Sequence, residues 1–91
     1  MLANHKKKEL EKVAKNMCKI HNLQHVYFTH KLGKRRHYLA GYGQEMFSNT
    51  HHLDITKKTI LFWQGNLIEK DISIIICRLV PLARKVEREF N

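Results

Sequence analysis

His37 directly follows Arg35 and Arg36, inside the stretch KLGKRRHYLAGYG that runs from Lys31 to Gly43. An imidazole beside two guanidinium groups can act on a phosphodiester, the histidine as general acid or base and the cations stabilising charge on the phosphorane. That chemistry also needs a second acid–base group, and the sequence does not place His30, His51 or His52 within reach of His37. A binding role asks for less. Lys31, Lys34, Arg35, Arg36 and His37 can contact phosphates, while Tyr38 and Tyr42 can stack on unpaired bases. Lys57 and Lys58, in a later turn, can extend the same positive surface, as can Lys12, Lys15 and Lys19. Any single lysine is equally at home on a solvated face, and the tyrosines can instead pack under a helix.

Seven histidines invite a metal reading, above all in THHLD, where His52 and Asp54 would share one face of a strand. Zinc needs three or four converging ligands, and neither H-E-x-x-H nor a Cys/His pair set occurs. The pair HH on a strand, followed by GNLI opening a helix, is similar to the start of the HNH nuclease pattern. That pattern requires a further histidine in the following helix, where this chain has EKDISIIICRLV, so the metal site is not completed. Cys18 and Cys77 stand far apart, without the paired spacing of zinc or redox motifs, and are expected to be buried free thiols. Neither a metal nor a cofactor is expected.

The net charge of +9 is unevenly placed, with no acidic residue between Glu11 and Glu45. A one-signed field over a third of the chain favours polyanions: nucleic acid, an anionic membrane surface or an acidic protein face. Helix-turn-helix, zinc-finger, RNP, GXXG and double-stranded-RNA-binding signatures are missing, which directs the reading away from duplex sequence recognition. The expectation is a small, basic, non-enzymatic nucleic-acid-binding protein that prefers RNA or single strands. The alternative is a protein-binding regulator whose basic surface docks an acidic partner, with the apolar helix over 67 to 90 building a homodimer. A metal-independent ribonuclease using His37 is the third reading.

These side chains have to be positioned by one small α+β domain spanning residues 1–91, since so short a chain cannot stabilise two cores. The opening MLANHKKKELEK puts charges where a signal peptide needs its apolar core, and no run is long enough to span a membrane, so a soluble, cytoplasmic protein is expected. Residues 4 to 21 read as an amphipathic helix with Leu10, Val13, Ala14, Met17 and Ile20 inward, Asn4 as N-cap, a Glu11–Lys15 pair and Asn22 as the left-handed stop. HVYFTH alternates with Val26 and Phe28 on one side and His25, Tyr27 and Thr29 on the other. RRHYLAGYG forms its hairpin partner, with Tyr38, Ala40 and Tyr42 on one face and His37 and Leu39 on the other. QEMFSNT reads as a loop, and HHLDI and TILFWQ as two more strands or one bulged strand. Asn66 and Glu69 have capping-box spacing for a last helix carrying Ile72, Ile75, Ile76, Leu79, Ala83, Val86 and Phe90, kinked or broken at Pro81. A strand over ISIIICRLV competes with that helix. The expected architecture is an N-terminal helix, three or four antiparallel strands and a C-terminal helix, both helices on one sheet face.

Overall fold

In a computed structural model, which describes residues 4–47 and 49–89, the three-to-four residue spacing of the first segment becomes helix α1 (Asn4–His21). Leu10, Ala14, Met17 and Cys18 are buried, whereas Ile20 is 75% exposed. At about 100° per residue Ile20 falls on the flank of that stripe, and Cys18 takes the inward place expected of it. Lys15 does not pair with Glu11; its ammonium lies over the Tyr42 ring, 5.8 Å from the centroid. Asn22, at φ 55, ends the helix. The chain folds back there, the Leu23 N–H donating to the Cys18 carbonyl at 3.0 Å and the Leu23 side chain entering the core. The Asn4 side chain and Phe90 lie outside the described residues.

Four strands follow: β1 (His25–Leu32), β2 (Arg35–Gly43), β3 (Thr50–Asp54) and β4 (Thr59–Gln64). They form one antiparallel sheet in the order β2-β1-β4-β3, two hairpins joined through β1 and β4. Both helices pack on one face of it. Val26, Phe28, Leu61 and Trp63 point to that side and close the core against Leu10, Ala14, Leu79, Ala83 and Val86.

A bulge corrects the expected facing of β2. Phe28 pairs with Ala40 and Thr29 with Tyr38, which leaves Leu39 as an extra residue between them. Leu39 and Ala40 are both buried in the core, so the alternation reverses at this point. Tyr38 and Arg36 consequently turn to the helix-free face, while Tyr42 stays on the helix side. Tyr38 and Tyr42 do not share a face.

Helix α2 (Glu69–Arg88) is one element with Pro81 inside it, and it includes the segment that could also have been a strand. Its start differs from the capping-box expectation. Ile68, extended at φ −81 and ψ 154, holds the cap position with no side-chain cap bond, so Asn66 lies in the connection before the helix. Glu69 and Asp71 in the first turn supply the negative charge that a helix N-terminus favours. Asp71 also reaches His21 at the end of α1, 3.6 Å away. Cys18 is buried as expected, but Cys77 is exposed.

Candidate nucleic-acid interface

Antiparallel pairing of β1 with β4 sets the end of one strand beside the start of the other. The two hairpin turns therefore meet, and the Lys31 N–H donates to the Lys58 carbonyl at 2.6 Å. Gly33 makes the first turn at φ 62, a conformation that costs little only without a Cβ. Thr56 makes the second, its hydroxyl oxygen accepting from the N–H groups of Lys58 at 3.2 Å and Thr59 at 3.1 Å. As a result Lys31, Lys34, Arg35, Arg36, Lys57 and Lys58, all exposed, gather at one end of the sheet. The last turn of α2 joins them, because Glu87 accepts from the hydroxyls of Thr56 at 2.8 Å and Thr59 at 3.0 Å. Lys85 and Arg88 flank that carboxylate along the helix.

Rings cross the helix-free face at right angles to the strands. Tyr38 lies 6.0 Å from Tyr27, Tyr27 stacks on Phe62 at 4.8 Å and 4°, and Phe62 meets His52 at 5.8 Å. One member comes from each strand: Tyr27, Phe62 and His52 share a row across the sheet, and Tyr38 reaches Tyr27 diagonally from the neighbouring row, where it pairs with Thr29. His25 adds a ring 5.0 Å from Tyr27, and the Arg36 guanidinium stands 5.5 Å from the centre of Phe62. Phe62 is thus buried under neighbouring rings and not under a helix; Trp63, on the other side, is the one that faces the core. Tyr38 remains 62% exposed, which leaves the end of the ladder available for stacking. Tyr42 is 43% exposed on the opposite side, beside Lys15 and away from the ladder.

Charge and burial tune the two ladder phenols. Burial pushes both hydroxyls above their ordinary value; Glu45 adds to this at Tyr27 and Arg36 opposes it, while Glu11 adds to it at Tyr38. In the row of Tyr38, the Thr29 hydroxyl is buried and has no partner.

The acid–base candidates are distributed differently from the cations. His37 is exposed and pairs across the strands with His30, a contact that sequence spacing does not reveal. His30 is only 1% exposed. Burial lowers the pKa of His30, Glu87 raises it, and Lys58 and His37 lower it further. Of this pair only His37 can touch a substrate. His52 and Asp54 do share the helix-free face of β3, but among the described residues no three His, Cys, Asp or Glu side chains converge as a metal-binding group. No described helix is long and apolar enough to cross a membrane.

The cations and Tyr38 are expected from the sequence as ligand contacts, whereas Tyr27, Phe62, His52 and His25 join the same face only in the folded sheet. The alternation of HVYFTH already places His25 and Tyr27 together; the register that adds Phe62 and His52 is a property of the assembled sheet. Comparison with models of known families, with curated proteins and with solved structures gives no match.

Proposed function

We propose that this protein binds single-stranded nucleic acid, RNA foremost, through the helix-free sheet face, without catalysing a reaction on it. The observation that carries the reading is the meeting of the two basic turns at one end of a face crossed by a ring ladder. Phosphates are held at Lys31, Lys34, Arg35, Arg36, Lys57 and Lys58, and a base stacks on Tyr38. Tyr42 takes no part in that stack, and His37 contacts phosphate from the helix side of β2. The free thiols of Cys18 and Cys77 suit a reducing cytoplasmic setting.

The test is a fluorescence-anisotropy titration of a labelled single-stranded RNA at several salt concentrations. Affinity should fall steeply with salt, and Lys34→Ala with Arg35→Ala should weaken binding and reduce the log–log slope by roughly 0.7 per cation removed. Binding indifferent to salt would overturn the proposal. Chelator-resistant shortening of the RNA that His37→Ala abolishes would show a ribonuclease instead.

A second reading is favoured by one observation. Between α1 and α2 runs an open groove of about 270 Å³ lined by Val13, Met17, Ile20, Ile75, Leu79 and Leu82, with Arg78 and His21 at its rim. An acidic amphipathic protein segment would suit it, and stoichiometric co-purification of such a partner with no nucleic acid would support the regulator in place of the RNA binder.

A further inference from the structure

The two edges of the sheet are built differently. β2 carries Arg35, Arg36 and the bulge at Leu39, the charges and local twist that keep an edge strand from pairing with another chain. β3, the opposite edge, has none of these. Its sequence THHLD contains no lysine, arginine or proline, and it pairs with β4 in an unshifted register. Thr50, His51, His52 and Asp54 are all exposed.

The outer side of β3 has a definite hydrogen-bonding pattern. In β4 the Gln64 carbonyl accepts from the Gln24 N–H at 2.9 Å, which turns the backbone of Gln64 toward β1 and away from its partner Thr50. Beyond the other end of β3, the Ile55 N–H donates to the Thr59 carbonyl at 2.9 Å, so the backbone of Ile55 is turned inward. Antiparallel strands alternate between bonded and non-bonded pairs. Between these two fixed points His51 and Leu53 therefore bond to β4, and the backbone groups of Thr50, His52 and Asp54 are directed away from the sheet.

His52 stands midway between Thr50 and Asp54, so the outward set is its own complement about a twofold axis. A second copy laid antiparallel along β3 sets His52 opposite its own counterpart and Thr50 opposite Asp54, and each outward N–H meets a carbonyl. The side chains agree with this register. The Gln64 carboxamide clasps Met46, accepting from its N–H at 2.9 Å and donating to its carbonyl at 3.0 Å, and also donates to the Thr50 hydroxyl at 3.2 Å. That fixes the start of β3 and leaves the Thr50 hydroxyl proton to be donated outward, where the second copy's Asp54 carboxylate can accept it. Lys57 and Lys58 of the two copies go to opposite ends of the joint and do not oppose each other.

We propose that a second copy of this chain docks on β3, the two sheets joining edge to edge into one continuous antiparallel sheet. The axis stands perpendicular to the sheet, so the helices of both copies stay on one side and the helix-free faces become one. His52, at the end of each ring ladder, then lies beside the second copy's His52, and the ladder runs on from one copy into the other. The pairing does not depend on the nucleic-acid reading; what it adds to that reading is a wider face with a basic end at each of two opposite corners.

Sedimentation equilibrium of the nucleic-acid-free protein up to high micromolar concentration tests this, with the intact chain and with His52→Lys, His52→Glu and His52→Pro. The intact chain should show a monomer–dimer equilibrium. His52→Lys and His52→Glu should each lose the dimer, because like charges then face each other across the axis, and an equimolar mixture of the two should recover it. His52→Pro should lose it too, since proline removes an outward N–H that β4 does not use; if that variant also loses its helical dichroism, the mixture decides. An intact chain that stays monomeric throughout would overturn the proposal. A dimer that survives the lysine and proline variants, or a mixture that stays monomeric, would overturn it equally. Salt-dependent RNA binding by a monomeric chain would leave the nucleic-acid reading standing without this joint.

Discussion

Gly41 holds the position on which the ladder depends. A methyl group there would lie 2.6 Å from Tyr27 Cβ, 2.7 Å from the Val26 carbonyl oxygen and 2.9 Å from the Tyr38 hydroxyl. Two of these three neighbours are backbone or close to it and cannot swing aside. Gly41→Ala is therefore expected to destabilise the protein by about 1–3 kcal/mol, the usual range for forced overpacking, and to displace Tyr38 from Tyr27. Urea unfolding and the near-ultraviolet dichroism of the tyrosines would read the two effects; an unchanged midpoint and spectrum would contradict this account of the site. The place of Tyr27 is legible in HVYFTH, because strict alternation assigns its face. That of Tyr38 is not. Nothing in RRHYLAGYG marks the extra residue at Leu39, which is decided by room for two adjacent apolar side chains in the core. A single shift of register moved half of the expected tyrosine pair to the other side of the sheet.

At the scale of elements, α1 and the β1–β2 hairpin can be read from periodicity, whereas the split of HHLDI and TILFWQ into two strands and the choice of helix over ISIIICRLV are settled only in the fold. The Asn66–Glu69 spacing marks a cap that the chain does not use, since four residues of connection, Gly65 to Ile68, separate β4 from the helix and Ile68 takes the cap position. QEMFSNT reads as a loop; its described residues up to Asn49 lie between the strands and Thr50 opens β3, yet the role of this connection as a crossover follows only from the strand order, which places β2 and β3 at opposite edges. Gln64 is the hidden contributor. It ends a strand that is buried along its whole length, where its carboxamide replaces the backbone partners that Met46 would otherwise lack. Gln64→Leu should cost about 1–3 kcal/mol, the penalty of leaving buried polar groups unpaired, and should accelerate hydrogen exchange at the Met46 amide. The salt dependence of RNA binding should persist in that variant, because the basic turns lie at the other end of the sheet; its loss would show that the clasp organises more than the connection.

For the whole molecule, the fold class was open to deduction and the strand order was not, since no pattern within β1 says that β4 lies beyond it. The central pairing nevertheless decides the charge distribution: it brings Lys57 and Lys58 beside Lys31, Lys34, Arg35 and Arg36. It also encloses His30. Burial holds the imidazole below its ordinary pKa, against the partial support of Glu87 and with Lys58 and His37 adding to the depression. The unfolded chain then binds this proton at a higher pH than the native one does, so stability is full above about pH 6.5 and falls as pH drops through that value toward the lowered one. Urea midpoints followed from neutral to mildly acidic pH should decline, and His30→Gln should lessen the decline; an equally steep decline in the variant would assign it to other groups. The same central pairing has a consequence in time. Each hairpin joins neighbours in the chain and closes quickly, whereas β1 can meet β4 only after a much longer loop has been closed. The cationic end, the ladder and the burial of His30 all come into being at that one late step, so a chain stalled before it would hold two formed hairpins and no binding surface.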